Sequence, residues 1–370
     1  MINKRYNVTI QVLTPLSIGQ GSEKDWVYGI DYLTKKDENE QLWLYHLSLE
    51  RMAAAKVDLN RLVQIFCKGK PSEANALLGT KLEIISDLRM LLPVVSAEAL
   101  RNPIKTFLRN QLTNHPVLAG SSIKGAIRSI LFTYFRDQNE CENPSVFGKM
   151  NDGSDFMRFI RVGDFEFEET CLVNSKLFNL KKDGTTWIGG WKHSFDLTNT
   201  NYDPIGFNTI YECLIPGATA KGTISFSELL FNQIQSQSHR DKKIRIISGD
   251  DAIKNLCELI NDHTFDYLDK EYTFFEAYNQ ATYQGNILVQ IDALMKIINE
   301  CEPNECVIKM SAGSGFHSIT GDWQYEDYTG ESNRLDRKRG GELPKSRKIV
   351  VSGNKAFSLM GFIKLRFELA

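Results

Sequence analysis

The residues best placed to do chemistry in this chain are glycines, hydroxyls and basic side chains gathered in a few short segments. The richest runs Leu118-Ala-Gly-Ser-Ser-Ile-Lys-Gly-Ala-Ile-Arg128. Ile123, Ile127, Ile130, Leu131, Tyr134 and Phe135 recur at helical spacing, which predicts a helix with one buried stripe. Ser121 or Ser122 stands where a side chain caps a helix start. Free backbone N–H groups and the helix dipole favour an anion there. Lys124 and Arg128 are four residues apart, so they share one face beside that end. A phosphate resting on the cap can be met by both. The competing reading is a capped surface helix with a solvated basic flank.

Two further segments combine glycine with polar or basic neighbours. Near the N-terminus, Thr14-Pro-Leu-Ser-Ile-Gly-Gln-Gly21 follows an alternating run. Gly19 and Gly21 permit a close backbone approach or a positive φ, although a tight turn explains them as well. Towards the C-terminus, Val307–Met310 opens into Ser311-Ala-Gly-Ser-Gly-Phe-His317. Successive N–H groups at Gly313 and Gly315 can face a phosphate, and Phe316 can stack on a base. The loop is neither a Walker A sequence nor a dinucleotide fingerprint, because the Lys-Ser/Thr pair and the third glycine are missing. Arg334, Arg337, Lys338, Arg339, Lys345, Arg347 and Lys348 follow. Such a run is ordinarily a solvated face, but beside a glycine loop and an aromatic it also suits RNA.

Catalytic arrangements are poor by comparison. The 6 histidines show no HExxH or other close ligand spacing, and no GxSxG is present. Asp250-Asp251 and the Asp164/Glu166 pair are near neighbours of a kind that usually face solvent. The 7 cysteines are scattered, odd in number and without a CxxC pair. They point to reduced thiols in a cytoplasmic protein rather than to a disulfide framework or a zinc knuckle. Neither a metal nor another cofactor is expected.

The elements that must position these residues are strands and helices in irregular alternation. Val8, Ile10 and Val12 alternate with Thr9 and Gln11; Ile363, Leu365, Phe367 and Leu369 alternate with Lys364, Arg366 and Glu368. Further strands are expected near 42–47, 159–167, 209–214, 222–226 and 306–310, and helices near 47–56, 122–135, 251–261 and 288–298. No βαβ repeat emerges, which favours an α+β fold over a doubly wound sheet. Lys181-Lys182-Asp183-Gly184, Gly189-Gly190 and Asn199–Pro204 read as turns and loops, and suggest a domain boundary near residue 180. Gly313–Pro344 reads as a long loop. The chain of 370 residues suffices for two domains, its net charge of −2 requires any polyanion surface to be local, and no apolar run approaches a membrane span. No signal peptide is evident at the N-terminus.

In this order along the chain, the segments resemble the RAMP superfamily of CRISPR proteins, in particular the Csm-type subunit at the crRNA 3′ end of type III-A complexes. Leu13–Gly21 is similar to the opening strand and "IGxG" turn, and Gly120–Arg128 to the "PGSSIKGAxR" signature, with Ala119 where proline is common. Glu212-Cys-Leu-Ile-Pro-Gly217 matches an "E-x-x-x-P-G" element, and Gly313-Ser-Gly-Phe316 the glycine-rich loop. Pro344-Lys-Ser-Arg347 and Met360-Gly-Phe-Ile363 resemble the closing segment. The resemblance implies two tandem ferredoxin-like (RRM-like) domains with long insertions, residues 1–180 and 181–370, the second carrying the glycine-rich loop. It implies crRNA as ligand, other Csm-complex subunits as partners and no membrane. It also implies a part in maturing the crRNA 3′ end by recruiting or positioning cellular ribonucleases. By matching position, Ser121, Ser122, Lys124 and Arg128 would line RNA backbone, with Gly19, Gly21, Gly313, Gly315, Phe316, Lys345 and Arg347 completing the RNA surface. No RNP1 pattern is present, so contacts to backbone should dominate, as a variable guide demands. Three alternatives compete. A metal-independent RAMP endoribonuclease would use His46 or His317 as general acid or base. Another RAMP subunit of a type III complex is the second, and a small-molecule site on Gly313-Ser-Gly315 the third.

Overall fold

Alternation of apolar and polar side chains makes Lys4–Val12 a strand: Tyr6, Val8, Ile10 and Val12 are buried while Arg5, Asn7 and Gln11 face outward. A computed structural model describes it together with residues 4–93, 100, 102–137, 142–192, 200–201, 208–234, 238–278, 285–310, 346–352 and 355–370. The strand is the middle of a five-stranded antiparallel sheet. Phe362–Leu369 lies along one edge, Val8 facing Phe367, and Thr219–Phe226 along the other, Val8 facing Gly222. Glu305–Lys309 and Ile160–Val162 complete the two sides. The two alternating runs at the ends of the sequence are therefore neighbours. Ile123, Ile127 and Leu131 of the helix Gly120–Phe135, and Leu256 and Ile260 of the long helix Ala252–Tyr278, close the core beneath this sheet.

A second sheet is built around the long strand Thr170–Asp183. Asn208–Leu214 and Thr186–Lys192 pair with successive parts of it, and Ser346–Ser352 pairs opposite them. Tyr267, Leu268, Phe274 and Phe275, from the far half of the long helix, cover it with Ile287, Ile291, Leu294 and Ile298 of the helix Ile287–Asn299. The long helix, 27 residues and so about 40 Å, serves both cores. Between the first strand and Gly120–Phe135 the chain inserts a small sheet, Tyr32–Lys36, Leu42–Leu47 and Ser86–Leu91. Four short helices lie between its last two strands and enclose Leu33, Tyr45, Leu62, Ile65, Leu78 and Leu82.

Antiparallel sheets with helices packed upon them are the α+β class expected from the irregular alternation. Two local expectations fail. Lys181–Asp183 continue a strand and the chain turns only at Gly184, whose φ is +60°. Residue 180 therefore lies inside a strand. Gly189-Gly190 is strand as well. A Cβ on Gly189 would stand 2.4 Å from the Phe178 ring and 2.5 Å from the Tyr278 carbonyl, so this glycine serves close packing, not a loop. Of Asn199–Pro204 only 200–201 are described, as a short strand. Among the described residues no helix is long and apolar enough to cross a membrane.

Candidate nucleic-acid interface

The helix Gly120–Phe135 starts where it does because Gly120 fits against the neighbouring chain. A Cβ there would lie 2.3 Å from the Val162 carbonyl oxygen and 2.5 Å from that of Gly163. The Gly120 N–H donates to Asp164 Oδ1 at 2.7 Å. Ala119 holds the cap position, and neither Ser121 nor Ser122 caps the helix. This corrects the expected cap: a carboxylate from the Ile160–Phe165 segment already meets the positive end of the dipole. Ser121 is exposed, and Ser122 lines a cleft beside the helix.

That cleft, about 430 Å³, brings distant segments together. Gly19, Gly21 and Ser122 line it with Lys105, Asp25 and Tyr211. Gly21 has φ +108°, in the region that favours glycine, and a Cβ on Gly19 would meet no atom within 4 Å, so its missing side chain leaves the cleft wall open. Glu212 fixes the geometry. It is fully buried, accepts the Phe107 N–H at 2.7 Å and the Thr170 hydroxyl at 2.7 Å, and pairs with Arg109. Gly19 in turn bridges to Phe107. The glutamate of the Glu212–Gly217 element is thus a structural anchor. Its glycine turns the chain from the second sheet to the first, with φ +92° and an N–H donated to the Val12 carbonyl at 2.7 Å.

The cations of the cleft were only half visible in the sequence. Lys105 pairs with Asp25 at 2.5 Å, yet its side chain remains 42% exposed and available to an anion. No motif surrounds it, so nothing local marked it. Lys348 belongs to the basic run. It donates to the Tyr211 hydroxyl and lies 4.8 Å from the ring centroid, holding Tyr211 at the cleft wall.

Lys124 and Arg128 do share a face, and they line a second hollow of about 430 Å³ with Arg158 and Asp155. Arg128 is not a free cation: it pairs with Asp155 at 3.3 Å and stacks 4.3 Å from the Phe147 ring centroid. Burial lowers the Lys124 pKa; Asp155 opposes that shift, and the positive charges of Arg128 and Arg161 reinforce it. An anion entering here would relieve that repulsion. The hollow is flanked by basic side chains instead of sitting on the helix cap.

Arg347 requires a second correction. It is 4% exposed, its Nε is 2.7 Å from both carboxylate oxygens of Glu271, and its guanidinium lies 4.1 Å from the Phe274 ring centroid. Alternation along Ser346–Ser352 sends Arg347 to the core and Lys348 to the opposite face, against Tyr211, which a count of charges cannot distinguish. Gly313, Gly315, Phe316 and Lys345, with His317, lie outside the described residues. Among the described residues no group of three His, Cys, Asp or Glu side chains could hold a metal ion. What the two hollows can do is hold a polyanion by backbone, hydroxyl and cation contacts.

The model of the RAMP superfamily matches residues 9–277. No curated protein matches the chain. In fold it is similar to a chain in the Csm–crRNA–target RNA ternary complex of a type III-A CRISPR-Cas system, with a TM-score of 0.65 at 18% identity, over 98% of this chain and 100% of that one. It is also similar to Csm5 of T. onnurineus, with a TM-score of 0.61 at 16% identity, over 96% and 99% of the two chains. At such identities the likeness is one of fold.

Proposed function

This chain belongs to the RAMP superfamily, and from that premise we propose that it is a guide-RNA-binding subunit of a type III-A (Csm) CRISPR effector complex acting in antiviral defence. The observation that carries the reading is the convergence of Gly19, Gly21 and Ser122, from two separate signature segments, on one cleft beside Lys105. Open glycine backbone, a hydroxyl and a cation suit phosphate and sugar, which every guide presents whatever its sequence. The full-length likeness in fold to Csm5 supports a place at the crRNA 3′ end. We read the role as non-catalytic: the subunit holds the RNA and contributes to maturation of the 3′ end by positioning cellular ribonucleases. The first sheet, apart from Glu305–Lys309, runs fourth, first, third, second in chain order. We read this as a ferredoxin-like sheet and the second sheet as its tandem counterpart.

Co-expression with the other subunits of a type III-A complex and a CRISPR array tests the proposal. A tagged copy should co-purify with those subunits and with crRNA, and its deletion should leave crRNA with longer or ragged 3′ ends. Recovery of the chain without subunits or RNA would contradict the assignment, and unchanged 3′ ends would remove the maturation role.

A further inference from the structure

Behind the Gly19-Gln20-Gly21 turn lies a smaller cavity, about 250 Å³, that the cleft does not include. Gln20, Trp26, His46, Asp87, Arg109 and Asn114 line it. Its aromatic wall is fixed. The Trp26 backbone exchanges hydrogen bonds with Ile104 at 3.0 and 2.9 Å, and its ring centroid lies 4.7 Å from that of His46. His46 Nδ1 is 2.7 Å from Asp87 Oδ1. Although burial acts to raise the Asp87 pKa, the hydrogen bond and charge of His46 and the charge of Arg51 leave it lowered. An ionised carboxylate only accepts, so Nδ1 carries a proton towards Asp87, and Nε2 is the ring nitrogen on the side away from it.

The cavity is not built for phosphate. Arg109 is its cationic side chain, and that charge is already engaged: NH1 donates to the Asn114 carbonyl at 2.7 Å, while NH2 pairs with Glu212 and reaches the Thr170 hydroxyl at 3.1 Å. Asp87 adds negative charge. What remains is an indole, an imidazole edge and carboxamides, which suit a flat, neutral group with hydrogen-bonding edges. Gln20 belongs to this cavity while Gly19 and Gly21 belong to the cleft, so a single turn separates the two.

We propose that this cavity takes one unstacked nucleobase of the RNA strand held in the cleft, with Trp26 as stacking platform and His46, held by Asp87, as an edge contact. The proposal rests on the RNA-binding reading above. The test uses the full chain and a single-stranded RNA carrying 5-iodouridine, with binding followed by fluorescence anisotropy, and long-wavelength photocrosslinking followed by peptide mass spectrometry. Crosslinks should map to Trp26 or His46. Trp26→Leu should lose them and bind roughly tenfold more weakly, within the range of base–aromatic stacking, with an unchanged salt slope. Trp26→Phe should retain both, and His46→Gln, melting like the parent, should show a smaller loss; these two decide the matter if Trp26→Leu does not fold. RNA bound normally with crosslinks elsewhere, and Trp26→Leu binding like the parent, overturns the pocket and leaves the RNA reading standing. No RNA binding at low salt overturns both. RNA cleavage that disappears in His46→Gln would make the pair catalytic and also overturn the base pocket.

Discussion

At the scale of single residues, Lys124 and Arg128 look alike in sequence and differ in place. Lys124 is half-buried among other positive charges. Lys124→Ala should therefore cost RNA affinity roughly 1–3 kcal/mol, the range of a charge-assisted hydrogen bond, while thermal melts barely move. Arg128→Ala should also lower stability, by about 1–2 kcal/mol, because Asp155 loses its ion pair; melts run beside RNA titrations separate the two. Equal melting temperatures for both variants would contradict the difference. Lys309 carries a pH signature. It is buried, donates to the Met360 carbonyl at 2.6 Å, and burial lowers its pKa from 10.5 to about 8, the charge of Glu271 opposing. Between those values the unfolded chain binds more protons than the folded one, so stability should rise with pH across the window. Lys309→Met should remove that part of the slope in denaturant titrations run from about pH 7 to 11, a range set by the two pKa values.

At the scale of elements, the signature helix was legible because its isoleucines repeat at helical spacing. Its cap was not legible, since Asp164 reaches Gly120 from a segment remote in sequence. The two glycines of that helix should behave oppositely. Gly120→Ala drives a Cβ into the Val162 and Gly163 carbonyls and should destabilise strongly. Gly125 is exposed with nothing within 4 Å of an added Cβ, so Gly125→Ala should stabilise by about 0.5–1 kcal/mol. Ile127→Ala should cost about 2–4 kcal/mol by opening the core. Thermal melts rank all three, and a destabilised Gly125→Ala would contradict the open space around it. Alternation also separates Arg347 from Lys348. Arg347→Met leaves the Glu271 carboxylate buried and unpaired and should cost about 3–5 kcal/mol, with the salt dependence of RNA binding unchanged. The strand Thr170–Asp183 escaped sequence reading because Asn174, Ser175, Lys176 and Asn179 are all buried, so apolar alternation never develops.

At the scale of the whole molecule, the α+β class and the two terminal strands could be read from periodicity, whereas their pairing and the cleft could not. It exists only where the first strand's end, the Lys105–Arg109 segment, Tyr211 and the signature helix meet, and Glu212, buried among them, is the residue that fixes the meeting. The inserted helices leave Leu49 and Ile84 73% and 66% exposed, apolar surface of the kind a subunit buries against neighbours. RNA-holding through phosphates is the central claim, and the salt dependence of single-stranded RNA binding by the purified chain tests it most directly. Each phosphate neutralised contributes about −0.7 to the slope of log K against log salt. Lys105, Lys124 and Arg158 then give a slope near −2, and Lys105→Ala/Lys124→Ala should bring it towards −1. A slope near zero in the parent, or a double variant that binds as tightly and with the same slope, would contradict the claim.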